Sequence, residues 1–298
     1  MRVTAGLVLV GRRGVGRSTY AAGACHALTV SEGRNEASPL EPDTAQWANG
    51  VLRCLRRGAW AEDGAGREDE SDATAGTHRW RECGVRFRRG GSNPLRSRRF
   101  EVRLCDFPGD LWSELTRELK LMDRTHPEVP LLAELLDADA ILGFIDGTWL
   151  RSRPAEVQHE ANSILSVADL LSRGRRQGRK ISIPFGVVVS KTDKIGGGEV
   201  DGAMNVLDGA PPPRMAGKEE PYHESLIHLA YLRRRLGSMT QHVGGFAVST
   251  LESLREGGAL TDTQVRRLDS EFKPNGRGVD VEAPLRWCLA KARILREV

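Results

Sequence analysis

The chain opens with a short apolar, β-branched run from Val3 to Val10, which breaks into Gly11-Arg12-Arg13-Gly14-Val15-Gly16-Arg17-Ser18-Thr19. An apolar run of this length bounded by glycine reads as a buried strand. From Arg17 to Val30 apolar and small residues recur at helical spacing, so strand, glycine turn and helix follow one another. Gly11 to Ser18 matches the GxxxxGK[ST] phosphate-loop pattern, except that Arg17 stands in the lysine position. Glycines let such a loop curl until its N–H groups converge on phosphate oxygens. The helix behind it adds the positive end of its dipole. On this reading Gly11, Gly14, Val15, Gly16, Arg17, Ser18 and Thr19 surround phosphate, and the Ser18 hydroxyl is placed for Mg²⁺. The alternative is a plain glycine turn; the strand before it and the helix after it favour the phosphate loop.

Downstream patterning supplies the architecture. Residues 40–58 carry a second helical pattern, and 59–78, rich in Gly, Ala, Glu and Asp, predict a mobile loop. Cys83–Arg88 and Phe100–Cys105 alternate polar and apolar residues around a Gly-Gly-Ser-Asn-Pro turn, the signature of a hairpin. Leu111–Leu136 is mostly helical in pattern, Ala140–Ile145 a strand and Ala155–Leu171 an amphipathic helix. Ile181–Val189 is another strand, 195–220 a Gly- and Pro-rich irregular insertion, and Pro221–Leu236 a helix. Gly245–Ser249 and Val281–Leu295 close with a strand and a helix. Strands alternating with helices imply parallel crossovers and a three-layer α/β fold, with one antiparallel edge strand from the hairpin. Neither a repeat nor a linker divides the 298 residues, so a single domain with insertions at about 31–78 and 195–220 is expected.

Three further motifs fall where strands are expected to end. Arg103-Leu104-Cys105-Asp106-Phe107-Pro108-Gly109 contains Asp-x-x-Gly. Such an Asp holds Mg²⁺, because a hard cation takes carboxylate oxygen, and the glycine brings a backbone N–H close to phosphate. Asp-Phe-Pro-Gly is also good turn chemistry. Val187-Val188-Val189-Ser190-Lys191-Thr192-Asp193 follows the [NT]KxD guanine pattern, with Ser190 in the Asn/Thr position. A carboxylate there accepts the ring N1–H and exocyclic amine of guanine, while the Lys191 stem packs over the base; a polar strand-to-loop transition is the alternative. Last comes Gly245-Phe246-Ala247-Val248-Ser249-Thr250, whose Ser249 and Thr250 begin a loop that would meet the guanine carbonyl. Order carries more weight than any single motif, because ligands of open parallel sheets sit at the carboxyl ends of the strands.

Composition narrows the partners. Net charge is +4 and much of it is arginine, including Arg79, Arg81, Arg86, Arg88, Arg89, Arg96, Arg98 and Arg99. With aromatics at 5% a base-stacking platform is not expected, and a solvated hairpin face is preferred over nucleic-acid binding. Five cysteines (Cys25, Cys54, Cys83, Cys105, Cys288) without a CxxC pair argue for a reducing compartment and against a zinc site. No run approaches the ~20 apolar residues of a membrane span. The Val3–Val10 run is too short for a signal peptide and leads into Arg12-Arg13. A cytoplasmic protein is expected.

The segments LVLVGRRGVGRSTYAAG, RLCDFPGDLW, ADAILGFIDGT, PFGVVVSKTDK and GGFAVST together resemble the TRAFAC-class P-loop GTPases. More narrowly they resemble the bacterial double-GTPase family of conflict and defence systems. The resemblance implies a Ras-like, mostly parallel sheet that binds GTP or GDP with Mg²⁺. Phosphates would meet the Gly11–Thr19 loop and Gly109, Mg²⁺ would meet Ser18 and Asp106, and Ser190, Lys191, Asp193, Ser249 and Thr250 would surround guanine. The switch threonine is expected just before the hairpin, at Thr77 rather than Thr74. A protein effector or a second GTPase would be the partner. Two departures bear on hydrolysis. Arg17 replaces the lysine, and the two side chains are not interchangeable at a tight site. Asp110 stands where Ras-like enzymes orient the attacking water with glutamine; Arg17 and Asp110 are therefore the candidate catalytic residues. Arg12 and Arg13, at the loop mouth, either compensate the extra negative charge or face solvent.

Overall fold

Strand β1 (Arg2–Val10) is apolar on both faces because both are covered. Leu7 and Leu9 pack into one apolar cluster and Val8 and Val10 into another, which is the two-residue side-chain period of a strand. The computed structural model describes residues 2–12, 14–30, 35–39, 81–89, 98–106, 135–173, 180–213, 221–249, 281 and 283–292. After β1 come α1 (Arg17–Val30), β2 (Asn35–Pro39), β3 (Arg81–Arg89), β4 (Arg98–Asp106) and β5 (Ala140–Asp146). Then follow α2 (Trp149–Ser152), α3 (Pro154–Arg173), β6 (Phe185–Ser190), α4 (Gly197–Leu207), α5 (Pro221–Met239), β7 (Val243–Ala247) and α6 (Ala283–Lys291).

The strands form one seven-stranded sheet in the order β2-β3-β4-β1-β5-β6-β7. From β4 to β7 every pairing is parallel, whereas β3 runs antiparallel to both β2 and β4. Helices α1 and α6 cover one face through Tyr20, Ala21, Ala24, Leu285, Cys288 and Leu289. The other face meets α3, α4 and α5 through residues such as Val157, Ile164, Met204, Leu207, Leu226 and Leu232. The result is a three-layer, mostly parallel α/β fold. Helices on both faces are why β5 and β6, fully buried along their length, read as unbroken apolar runs.

Several elements differ from expectation. The antiparallel strand is not the edge: β2 lies outside β3, within a stretch expected to be an insertion. Residues 195–220 are not wholly irregular, because Gly197–Leu207 is α4. Its glycines occupy the first turn, where the Glu199 carboxylate accepts the Gly196 N–H at 2.8 Å. Ala203, Met204, Val206 and Leu207 are buried, and burial of an apolar stripe outweighs weak helix propensity. Strand β6 starts at Phe185 rather than Ile181; Ile181 forms only an isolated bridge with Thr240, and Pro184 has no N–H to give a ladder. Strand β7 spans Val243–Ala247 rather than 245–249. The helix expected over 40–58, the loop over 59–78 and most of 111–136 lie outside the described residues. Among the described residues no helix is long and apolar enough to cross a membrane.

Candidate functional site

The parallel strands place their carboxyl ends side by side. Leu9 is in register with Asp106, Val10 with Gly143, Asp146 with Ser190, and Val189 with Ala247. All the expected site residues within the described segments hang from this edge.

At the end of β1 the chain turns through Gly11, Gly14 and Gly16, with φ of 152°, 86° and 88°. Gly16 needs the left-handed region that glycine enters without strain. At Gly11 a Cβ would stand 2.9 Å from Val15 Cγ2 and 3.3 Å from the Phe144 carbonyl, so the loop lies close against β5. Val15 is fully buried in the cluster with Leu9 and Tyr20, so its side chain faces the core and only its backbone is available to a ligand. Helix α1 then begins at Arg17, and the Tyr20 N–H reaches the Gly16 carbonyl at 2.9 Å. Ser18 and Thr19 stand half-buried in its first turn.

Asp106, at the end of β4, meets both Ser18 and Arg17. The Ser18 hydroxyl donates to Asp106 Oδ2 at 2.5 Å. Arg17 Nη1 lies 3.2 Å from Asp106 Oδ1, and the two side chains are only 6% and 7% exposed. A hydroxyl and a carboxylate side by side form a donor set a hard divalent cation accepts, so Ser18 and Asp106 fit Mg²⁺ by chemistry. Among the described residues no group of three or more His, Cys, Asp or Glu offers another metal site.

On the far side of the loop, buried Ser190 donates its hydroxyl to the Val15 carbonyl at 2.6 Å and to the Ile145 carbonyl at 3.3 Å. It ties the Gly11–Thr19 loop to the ends of β5 and β6. Lys191 adopts a left-handed conformation, φ 53° and ψ 37°, a conformation that is uncommon for a residue with a side chain. Its ammonium pairs with Asp146 Oδ2 at 2.6 Å. Asp146 Oδ1 accepts from the Thr148 N–H at 2.9 Å and hydroxyl at 2.6 Å, and the Gly147 N–H reaches the Ser190 carbonyl at 2.9 Å. Asp193 Oδ1 accepts from the buried Ser249 hydroxyl at 2.7 Å. Its Oδ2 is buried with no hydrogen-bond partner among the described residues.

Asp146 was not anticipated as part of this edge. Its signal was available: a carboxylate closing a fully apolar strand, Ala140–Asp146, in line with Asp106 and Ser190. Arg12 is turned against α3 rather than into open solvent. Its guanidinium donates to Glu160 through Nε and to Glu156 through Nη2 at 2.5 Å, and stacks 5.3 Å from the Trp149 ring centroid. Burial opposes the Arg12 charge, but the Glu156 and Glu160 carboxylates outweigh it and raise its pKa. Burial dominates at Glu160, which is fully buried, and lifts its pKa above the ordinary value despite Arg12. At half-buried Glu156 the hydrogen bond from Arg12 dominates and lowers the pKa. Arg13, Thr74, Thr77, Gly109, Asp110 and Thr250 lie outside the described residues.

No protein-family model and no curated protein matches the chain. Among solved structures it is similar to the S. cerevisiae Ski7 GTPase-like domain bound to GTP, with 13% identity and a TM-score of 0.45, covering 96% of this chain and 49% of that one. The same domain bound to GDP and inorganic phosphate gives 13% identity and a TM-score of 0.44, over 92% and 51% of the two chains. Sup35 complexed with GDP gives 13% identity and a TM-score of 0.31, over 85% and 38%. The chain thus spans about half the length of the Ski7 chains it matches.

Proposed function

We propose that the chain binds guanine nucleotide and works as a switch with slow, Mg²⁺-dependent GTP hydrolysis. The observation that carries this is Asp193, whose Oδ1 is fixed by Ser249 while Oδ2 is a buried acceptor without a donor among the described residues. Guanine presents two donors to such a carboxylate. Adenine presents none there and would leave the oxygen unpaired, at roughly 1–3 kcal/mol. Backbone N–H groups of the Gly11–Thr19 loop and the Arg17 guanidinium would hold the phosphates, with water attacking in line and oriented by Asp110. Magnesium at Ser18 and Asp106, with Thr77 as the proposed switch ligand, would neutralise phosphate charge.

Competition against a fluorescent GTP analogue tests the base assignment: GTP should displace it and ATP should not, and equal displacement by ATP ends the guanine reading. Asp193→Asn should move preference toward xanthine nucleotides; an unchanged preference removes Asp193 from the pocket.

Arg17 favours a second reading, a pseudo-GTPase that holds nucleotide as a scaffold without turnover. Single-turnover phosphate release from the loaded protein separates the two. Release that Ser18→Ala abolishes excludes the scaffold-only reading. Either protein would act in the cytoplasm through an effector or a second GTPase. The motif order supports membership of the bacterial double-GTPase family of conflict systems.

A further inference from the structure

We propose that Arg17 supplies much of the charge neutralisation a divalent cation provides in sites of this kind, so that nucleotide is held nearly as tightly without magnesium as with it. This rests on the nucleotide reading above. Asp106 is the carboxylate a hard cation would need: its Oδ2 accepts from Ser18 at 2.5 Å, and its Oδ1, buried with no hydrogen-bond donor among the described residues, lies 3.2 Å from the charged Arg17 Nη1. A cation entering must compete with a guanidinium that carries its charge at every accessible pH. Both partners are more than nine-tenths buried, so their attraction is weakly screened by solvent and salt. Arg17 is also the first residue of α1, where its fixed charge adds to the positive end of the helix dipole beside the phosphate loop. A planar guanidinium can face a carboxylate with one edge and phosphate with another, whereas an ammonium is a single point charge on a flexible stem. The arginine in the lysine position therefore links two anions, one belonging to the protein and one to the ligand.

The test uses the full chain, stripped of nucleotide, titrated with a fluorescent GDP analogue in magnesium buffer and in EDTA. The wild-type dissociation constant should differ by less than about threefold between the two buffers. Arg17→Lys should weaken by about tenfold or more when magnesium is removed, because a lysine keeps the phosphate charge but releases Asp106 to a cation. A wild-type loss of tenfold or more in EDTA overturns the proposal on its own, and decides the matter if the lysine variant does not fold. An Arg17→Lys protein as indifferent to EDTA as the wild type also overturns it. Absence of binding in both buffers overturns the nucleotide reading itself, which loss in EDTA alone does not.

Discussion

Ser190 shows how much a single hydroxyl can organise. It is 4% exposed and donates to the carbonyls of Val15 and Ile145, so it braces the turn on which the phosphate loop depends. Ser190→Ala leaves the Val15 carbonyl without this donor and should cost about 1–2 kcal/mol in chemical denaturation. It should also speed nucleotide release in a stopped-flow chase, because the loop loses its tie to β6. The sequence placed Ser190 in the Asn/Thr position of a base-reading motif, and a four-residue pattern cannot say which way the hydroxyl points. Lys191 makes the same point. The lysine was legible as part of the motif, but its pairing with Asp146 depends on β5 and β6 being neighbours in register. That information is tertiary.

At the scale of elements, α3 holds the Gly11–Thr19 loop from behind through Arg12. Glu156 and Glu160 lie one turn apart on it and both take the Arg12 guanidinium, but they couple to pH with opposite signs. Glu160 has a raised pKa in the folded protein. Its contribution to stability is full below the ordinary glutamate value of about 4.3 and is lost as pH rises through the folded pKa. Glu156 has a lowered pKa, so its contribution is present above about 4.3 and is lost as pH falls through the folded value. Denaturation midpoints across this range should show Glu160→Gln gaining on the wild type as pH rises. Glu156→Gln should fall behind the wild type over the same range. Helix α4 marks the limit of reading elements from local pattern. Gly196-Gly197-Gly198 is a turn signal by composition, and only Glu199 closing back on Gly196 and the buried Ala203–Leu207 side reveal the helix. By contrast β1 and α1 were plain in advance, since an apolar strand, a glycine loop and a helix impose their own order.

For the whole molecule, the parallel sheet gathers residues separated by most of the chain onto one edge. Gly11, Asp106, Ser190 and Ser249 come to one edge only because β1 lies between β4 and β5 and β6 between β5 and β7. Alternating strands and helices made that edge legible; the position of β2 outside β3 was not, since Asn35–Pro39 carries no strand pattern. A ligand that binds only this folded edge stabilises the entire domain by mass action. GDP at a hundred times its dissociation constant should add about 2.7 kcal/mol. That is a rise of several degrees in melting temperature, which ATP at the same concentration should not reproduce.

The braces at the two ends of this edge have separate anchors. Asp193 is steadied by Ser249 beyond β7, and Arg17 by Asp106 at the end of β4. The two ends share the Ser190 tie to Val15. On the proposed reading this is a modular lock, with the choice of base set at residues 193 and 249 and the ionic requirement at 17 and 106, two settings an engineer can recut as independent adjustments. Residue 190 is the pin through both halves, and a change there disturbs both settings together.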